Sequence, residues 1–160
     1  MGTQLLQLEY VTPKSSNTNL VPVVVQLLPS AVLKLNNKRN LVTPAGKVGY
    51  VKLSGVEIKV EDLVDLALGM GVESIKFMPL KGLTHLEELV YLCKVAAEKG
   101  IVSVEPAGGI SADNIVEIVN AVRGTGIPVF MPHIFGSTID KENGRTIPEE
   151  VAKIIRLVRG

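Results

Sequence analysis

Three side chains at the ends of apolar runs are placed to do chemistry. Lys76 stands in "SIKFMP" (74–79), Glu105 in "IVSVEP" (101–106) and His133 in "IPVFMPHI" (127–134). Ile75, Phe77 and Met78 read as a buried strand, and a lysine in such a run is rarely buried without a reason. Either it snorkels to water from a strand end or an edge strand, or it is held dry. A desolvated lysine is partly neutral at neutral pH, and the free amine attacks ketones to form a Schiff base. The protonated iminium then draws electrons from an adjacent C–C bond. A second cation nearby would favour the neutral amine further. Lys52 in "YVKLS" (50–54) is the candidate, with a surface position or an anion ligand as its other readings.

The glutamate strand runs on as "VEPAGGIS" (104–111) into a helix-like pattern. Gly108-Gly109 allows close approach to the backbone, and the N–H groups of a helix start attract anions. Ser111 fits as an N-cap that can also donate to such an anion. The plainer reading is a tight βα turn. Glu105 is either a proton carrier or the ion-pair partner of a lysine. His133 suits proton transfer, substrate binding or a structural hydrogen bond, and Gly136 and Ser137 could complete the anion site. Pro79, which closes the lysine run, is counted with the substrate-binding residues. His85, at a helix start, reads as surface. No His, Cys and carboxylate set has zinc-ligand spacing, and there is no Walker loop, G-x-G-x-x-G or G-x-S-x-G motif.

Alternating strands and helices must position these groups. Helical faces recur at 61–70 (Leu63, Leu66, Ala67, Met70), near 84–99 (Leu86, Leu89, Val90, Cys93, Ala97) and near 112–123 (Ile115, Ile118, Val119, Val122). A last helix, 148–159, has Pro148, Glu149 and Glu150 in its first turn and Arg156 and Arg159 in its last, as the helix dipole favours. Interleaved with the apolar runs, these make a β-α-β-α-β-α-β-α order, which predicts a parallel sheet covered by helices. Active sites of such folds collect at the C-terminal ends of the strands, and phosphate sites recur after the last strands of barrels. The first forty residues are less regular, with "LVPVVVQLL" (20–28) as a further strand, "KSSNTN" and "NNKRN" as loops, and "LVTP" (41–44) as a short strand just beyond. No linker divides residues 1–160, which read as one domain.

Composition narrows the options. Seventeen basic and 16 acidic residues are interspersed, a formal charge of +1, so no basic stripe points to nucleic acid. No apolar run approaches the roughly 18–20 residues that span a bilayer, so no membrane association is expected. The N-terminus lacks the pattern of a signal peptide or a myristoylation site. The single cysteine, Cys93, fits a reducing cytoplasm.

"SIKFMP" followed about thirty residues later by "EPAGGIS" resembles the Schiff-base pyruvate aldolases, which carry a K-F-F-P strand and then a P-T-G-G-I-S loop. Together with "LVTPAGKVGYVKLSG" and "MPHIFGSTIDKENGRTIPEEV", the pattern over residues 40–160 most resembles the 2-dehydro-3-deoxy-phosphogluconate aldolases of aminosugar-acid breakdown. The resemblance implies a (β/α)₈ barrel, Lys76 as the imine-forming residue, and Gly108, Gly109 and Ser111 near the substrate's phosphate or carboxylate. It further implies a phosphorylated keto acid as substrate, a homo-oligomer, and neither a metal nor another cofactor. Ala107 stands where the threonine of that loop would, and Met78 replaces an aromatic residue beside the lysine. A full barrel needs about 200 residues or more, so an incomplete TIM-type barrel of five or six strands is expected. Its open edge would be covered by another copy, a partner, or the N-terminal forty residues. The resemblance further implies a catalytic glutamate in the early barrel units, which are expected to be missing here. The expected activity is a carbon–carbon lyase. The alternatives are a shortened, non-catalytic homologue that binds a phosphorylated ligand or a partner chain, and a phosphosugar isomerase or epimerase.

Overall fold

The computed structural model describes residues 39–159. The strand expected at 20–28 and nearly all of the irregular 1–40 segment lie outside the described residues. The order is β1 (Arg39–Pro44), β2 (Tyr50–Leu53), β3 (Val56–Lys59), α1 (Val60–Gly69), β4 (Ser74–Phe77), α2 (Leu86–Lys99), β5 (Ser103–Pro106), α3 (Ile115–Val122), β6 (Val129–Phe130) and α4 (Pro148–Arg159). The strands form one sheet in the order β3-β2-β1-β4-β5-β6. β1, β4, β5 and β6 are mutually parallel, consistent with an incomplete TIM-type barrel.

The sheet is not wholly parallel, as the alternating pattern had suggested. β2 runs antiparallel to β1, and β3 antiparallel to β2. The β2–β3 hairpin turns on Ser54 and Gly55, both at positive φ (50° and 85°), as a two-residue type I′ turn requires. β3 escaped the sequence reading because its residues are mostly exposed and show no apolar run. The expected strand at 127–134 is also cut short. Pro128 and Pro132 have no N–H to give a ladder, so regular pairing shrinks to Val129–Phe130 and resumes only as an Ala107–His133 bridge.

Side chains alternate across the strands. Val42, Ile75, Phe77, Val104 and Phe130 are fully buried on one face, where consecutive helices touch as one layer: α1 with α2, α2 with α3, and α3 with α4. From α1 the buried set is Val60, Leu63, Val64 and Ala67, the i, i+3, i+4, i+7 stripe. The expected Leu66 and Met70 instead point outward, at 44% and 56% exposure. α2 ends on Gly100 in the left-handed region (φ 98°), whose N–H donates to Ala96 and Ala97, a glycine C-cap. α3 starts at Ile115 rather than 112, because residues 112–114 form a separate turn. The opposite sheet face carries Ser74, Lys76, Ser103 and Glu105. In a closed barrel that face looks into the interior.

Candidate active site

β4 and β5 pair in parallel with Lys76 opposite Glu105 and Ser74 opposite Ser103. Direct partners share a face, so register alone sets lysine beside glutamate. His133 arrives from the segment after β6. Its N–H donates to the Pro106 carbonyl (2.8 Å), which places the ring above the end of β5. The side chains then form a chain of contacts. His133 Nδ1 lies 3.5 Å from Lys76 Nζ, His133 Nε2 lies 2.9 Å from Glu105 Oε2, and the Ser74 hydroxyl donates to Glu105 Oε1 at 2.6 Å. Phe135 meets the His133 ring edge to face, with centroids 5.8 Å apart.

Glu105 is 1% exposed and His133 3%. A carboxylate taken that far from water is costly unless its lone pairs are satisfied, and here the serine hydroxyl and the imidazole supply donors. Proton positions follow from this inventory. An ionised Glu105 accepts Nε2–H, which leaves the Nδ1 lone pair turned to the lysine. Lys76 itself is partly buried.

The loops after β4 and β5 nest against each other. Leu80 N–H donates to the Ala107 carbonyl (2.7 Å) and Gly82 N–H to the Gly108 carbonyl (3.3 Å). Gly109 has φ 75°, and a Cβ there would sit 2.5 Å from Gly82 N. A Cβ on Gly108 would lie 3.1 Å from Pro79. The close approach that the Gly-Gly pair permits is thus taken up by the neighbouring loop, with Pro79 packed on it. Ser111 is not the helix cap expected. Its oxygen accepts from Asp113 N–H (3.2 Å) in the turn before α3, and Asn114 ties that turn back to Gly109 (2.8 Å). The Ser137 hydroxyl is buried with no hydrogen-bond partner.

Lys52 lies on β2 opposite Thr43. β1 stands between β2 and β4, so the two strands lie two spacings, about 10 Å, apart, and Lys52 is offset by two further residues along them. Register places it on the same face as the lysine.

Sequence reasoning missed three residues. Ser74 carried its signal in the alternation, two positions before Lys76. His85, read as surface, is instead paired with Glu88 at 2.7 Å, and its side chain is only 16% exposed. Glu88, 6% exposed, also accepts from the backbone N–H groups of Ala45 (2.9 Å) and Gly46 (3.1 Å). This cluster fastens the loop after β1 to the start of α2. Cys93 is fully buried, and burial pushes its thiol well above the ordinary range, so it is no nucleophile. Among the described residues no group of three His, Cys, Asp or Glu could hold a metal ion, and no helix is long and apolar enough to cross a membrane.

A mostly parallel sheet with a lysine, a histidine and a glutamate gathered toward the C-terminal ends of its strands places the chain among the βα-barrel proteins. Within them it belongs to the KDGP aldolase family, whose model matches residues 27–142. It is 36% identical over 128 residues to a 2-dehydro-3-deoxy-phosphogluconate aldolase of Salmonella typhimurium, across 74% of this chain and 52% of that protein. The chain therefore spans about half the length of the curated relative it matches. Lys76, Glu105 and His133 all lie inside the family match.

Proposed function

We infer that the site is a carbon–carbon lyase working through a lysine Schiff base, and that its substrate is a 2-keto-3-deoxy sugar acid with a terminal phosphate, 2-dehydro-3-deoxy-6-phosphogluconate. The observation that carries this reading is the position of Lys76, partly buried and 3.5 Å from a buried imidazole, on the sheet face opposite the helices. Lys76 attacks the C2 ketone, and water leaves to give the iminium. The C3–C4 bonding pair moves into that iminium as the C4 hydroxyl gives up its proton. Glyceraldehyde 3-phosphate departs and an enamine of pyruvate remains. Protonation at C3 and attack by water then release pyruvate and the amine. Glu105 belongs to the proton-handling machinery. Gly108, Gly109, Ser111, Ser137 and Pro79 border the region proposed for the substrate's anionic groups, with Lys52 as a further cation and His133 beside the amine. A homo-oligomer in a reducing cytoplasm, without a cofactor, completes the reading.

Borohydride added in the presence of pyruvate should leave a reduced pyruvate adduct on Lys76, found by peptide mass spectrometry. Lys76→Met should show neither adduct nor cleavage. A folded sample without the adduct rejects the lyase.

The buried Ser137 hydroxyl without a hydrogen-bond partner also suits a second reading, a non-catalytic homologue that still binds a phosphorylated ligand. It predicts ligand-induced stabilisation without turnover, left nearly unchanged by Lys76→Met.

A further inference from the structure

We propose that His133 is the residue that moves protons to and from the Lys76 nitrogen, and that Glu105 is a positioning residue acting through His133. The assignment rests on the Schiff-base reading above and reallocates its proton chemistry. By residue type alone, Glu105 was the natural proton carrier. The geometry points elsewhere, because Nδ1 of His133 faces the amine at 3.5 Å while Nε2 is engaged by Glu105 at 2.9 Å. This is the arrangement of nucleophile, base and orienting third group that activates nucleophiles in general. Ser74 extends it by one hydroxyl, holding the other carboxylate oxygen at 2.6 Å.

The proton balance closes on one imidazole. Lys76 starts as an ammonium with three protons, and Nδ1 takes one to free the lone pair. The nitrogen bonds to C2 as the carbonyl π pair moves to oxygen, and Nδ1 hands its proton to that oxygen. A second proton leaves nitrogen by the same route. The hydroxyl departs as water while the nitrogen lone pair closes C=N. Two protons have crossed from nitrogen to oxygen, the third stays on the iminium, and His133 ends neutral. A carboxylate on Nε2–H selects the neutral tautomer whose Nδ1 lone pair faces the amine, and it stabilises the imidazolium that forms twice.

Facing His133 are Lys76 from β4 and Glu105 from β5, with the Phe135 ring from its own segment. Lys52 of β2 is a further cation on the same sheet face. Removing the Glu105 charge therefore destabilises the imidazolium, and the acid limb of the pH–rate profile moves to lower pH.

The test follows deuterium exchange of the pyruvate methyl group in D₂O by the full 160-residue chain, a reaction that needs iminium and enamine but no aldehyde. His133→Asn should slow exchange by about 10²–10⁴-fold, the usual scale of acid–base catalysis. Glu105→Gln should slow it less and shift the acid limb downward, a change that a purely structural glutamate would not cause. Exchange in the wild type matched by both variants overturns the relay and leaves the lyase standing. Absence of both exchange and borohydride adduct in the wild type overturns the two together. Ring ¹⁵N shifts of His133 in the free protein supply a readout independent of turnover. The Nε2-protonated tautomer supports the relay, and an Nδ1-protonated one overturns it.

Discussion

Among the described residues two buried glutamates each hold a histidine, and their surroundings give them different work. Glu88 sits in the first turn of α2, with one oxygen on His85 and the other accepting from the backbone of Ala45 and Gly46. Its capacity goes to fixing a loop. Glu105 sits on a strand, with its oxygens on His133 and the Ser74 hydroxyl, and the far nitrogen of that histidine meets a lysine. The first chain ends on amides, which do not titrate. The second ends on an amine that can gain and lose protons. Burial of an acid beside a histidine is thus not enough to mark chemistry; what the far end of the chain touches decides it.

Glu88→Ala breaks that contrast hardest on the stability side. It strips acceptors from two backbone donors and a partner from His85. Gly46 is exposed and its amide can turn to water, whereas Ala45 is partly buried. An unsatisfied buried donor costs about 1–3 kcal/mol, and denaturant unfolding should show a loss of that size. Borohydride trapping on Lys76 should survive in the fraction that stays folded. An adduct lost while stability is retained would move Glu88 into the chemistry.

Ser74→Ala sharpens the other side with a smaller effect. It removes one hydrogen bond to a buried carboxylate, worth about 1.5–3 kcal/mol when the acceptor is charged. The lower end is expected here, because Ser74 is only partly buried. Pyruvate exchange should fall less than in Glu105→Gln. A larger fall in Ser74→Ala would mean that the hydroxyl, rather than the carboxylate, orients the imidazole.

The same two clusters show what the residue string could and could not disclose. Lys76, Glu105 and His133 were legible because each polar group interrupts an apolar run, and period-two alternation then placed lysine and glutamate on one face once their strands paired. The Glu88 cluster was not legible. Its partners are backbone amides 43 and 42 positions away, and backbone groups carry no sequence signature. The antiparallel β2–β3 hairpin was hidden for another reason: β3 is a mostly exposed four-residue Val-Glu-Ile-Lys alternation, too short to stand out beside the apolar runs. Gly108-Gly109 was read as letting a ligand approach the backbone; what the string did not disclose is that the side where a Cβ would stand is taken by Pro79 and the loop carrying Gly82, a contact set by how two βα loops nest.

A third ionisable pair lies away from both clusters and tests how little such contacts do when water reaches them. The Tyr91 hydroxyl of α2 donates to the Glu61 carboxylate at the start of α1. That hydrogen bond, helped by the Glu61 backbone amide and the nearby charge of Lys99, holds the carboxyl below its ordinary value. A depressed folded-state value means that the stabilisation is present above the unfolded carboxylate range, near 4.5. It is lost as the pH falls through the lower folded value. Tyr91→Phe should therefore lower the unfolding midpoint slightly at pH 7, with the difference from wild type closing on acidification below about pH 4. Urea unfolding at pH 7 and pH 3 measures it. Should the gap persist unchanged at pH 3, the tyrosine acts through its ring packing between α1 and α2 and not through the carboxylate. Because Glu61 and Tyr91 both keep part of their surface in water, this is the smallest of the expected effects, and its size sets the scale against which a buried glutamate's contribution is judged.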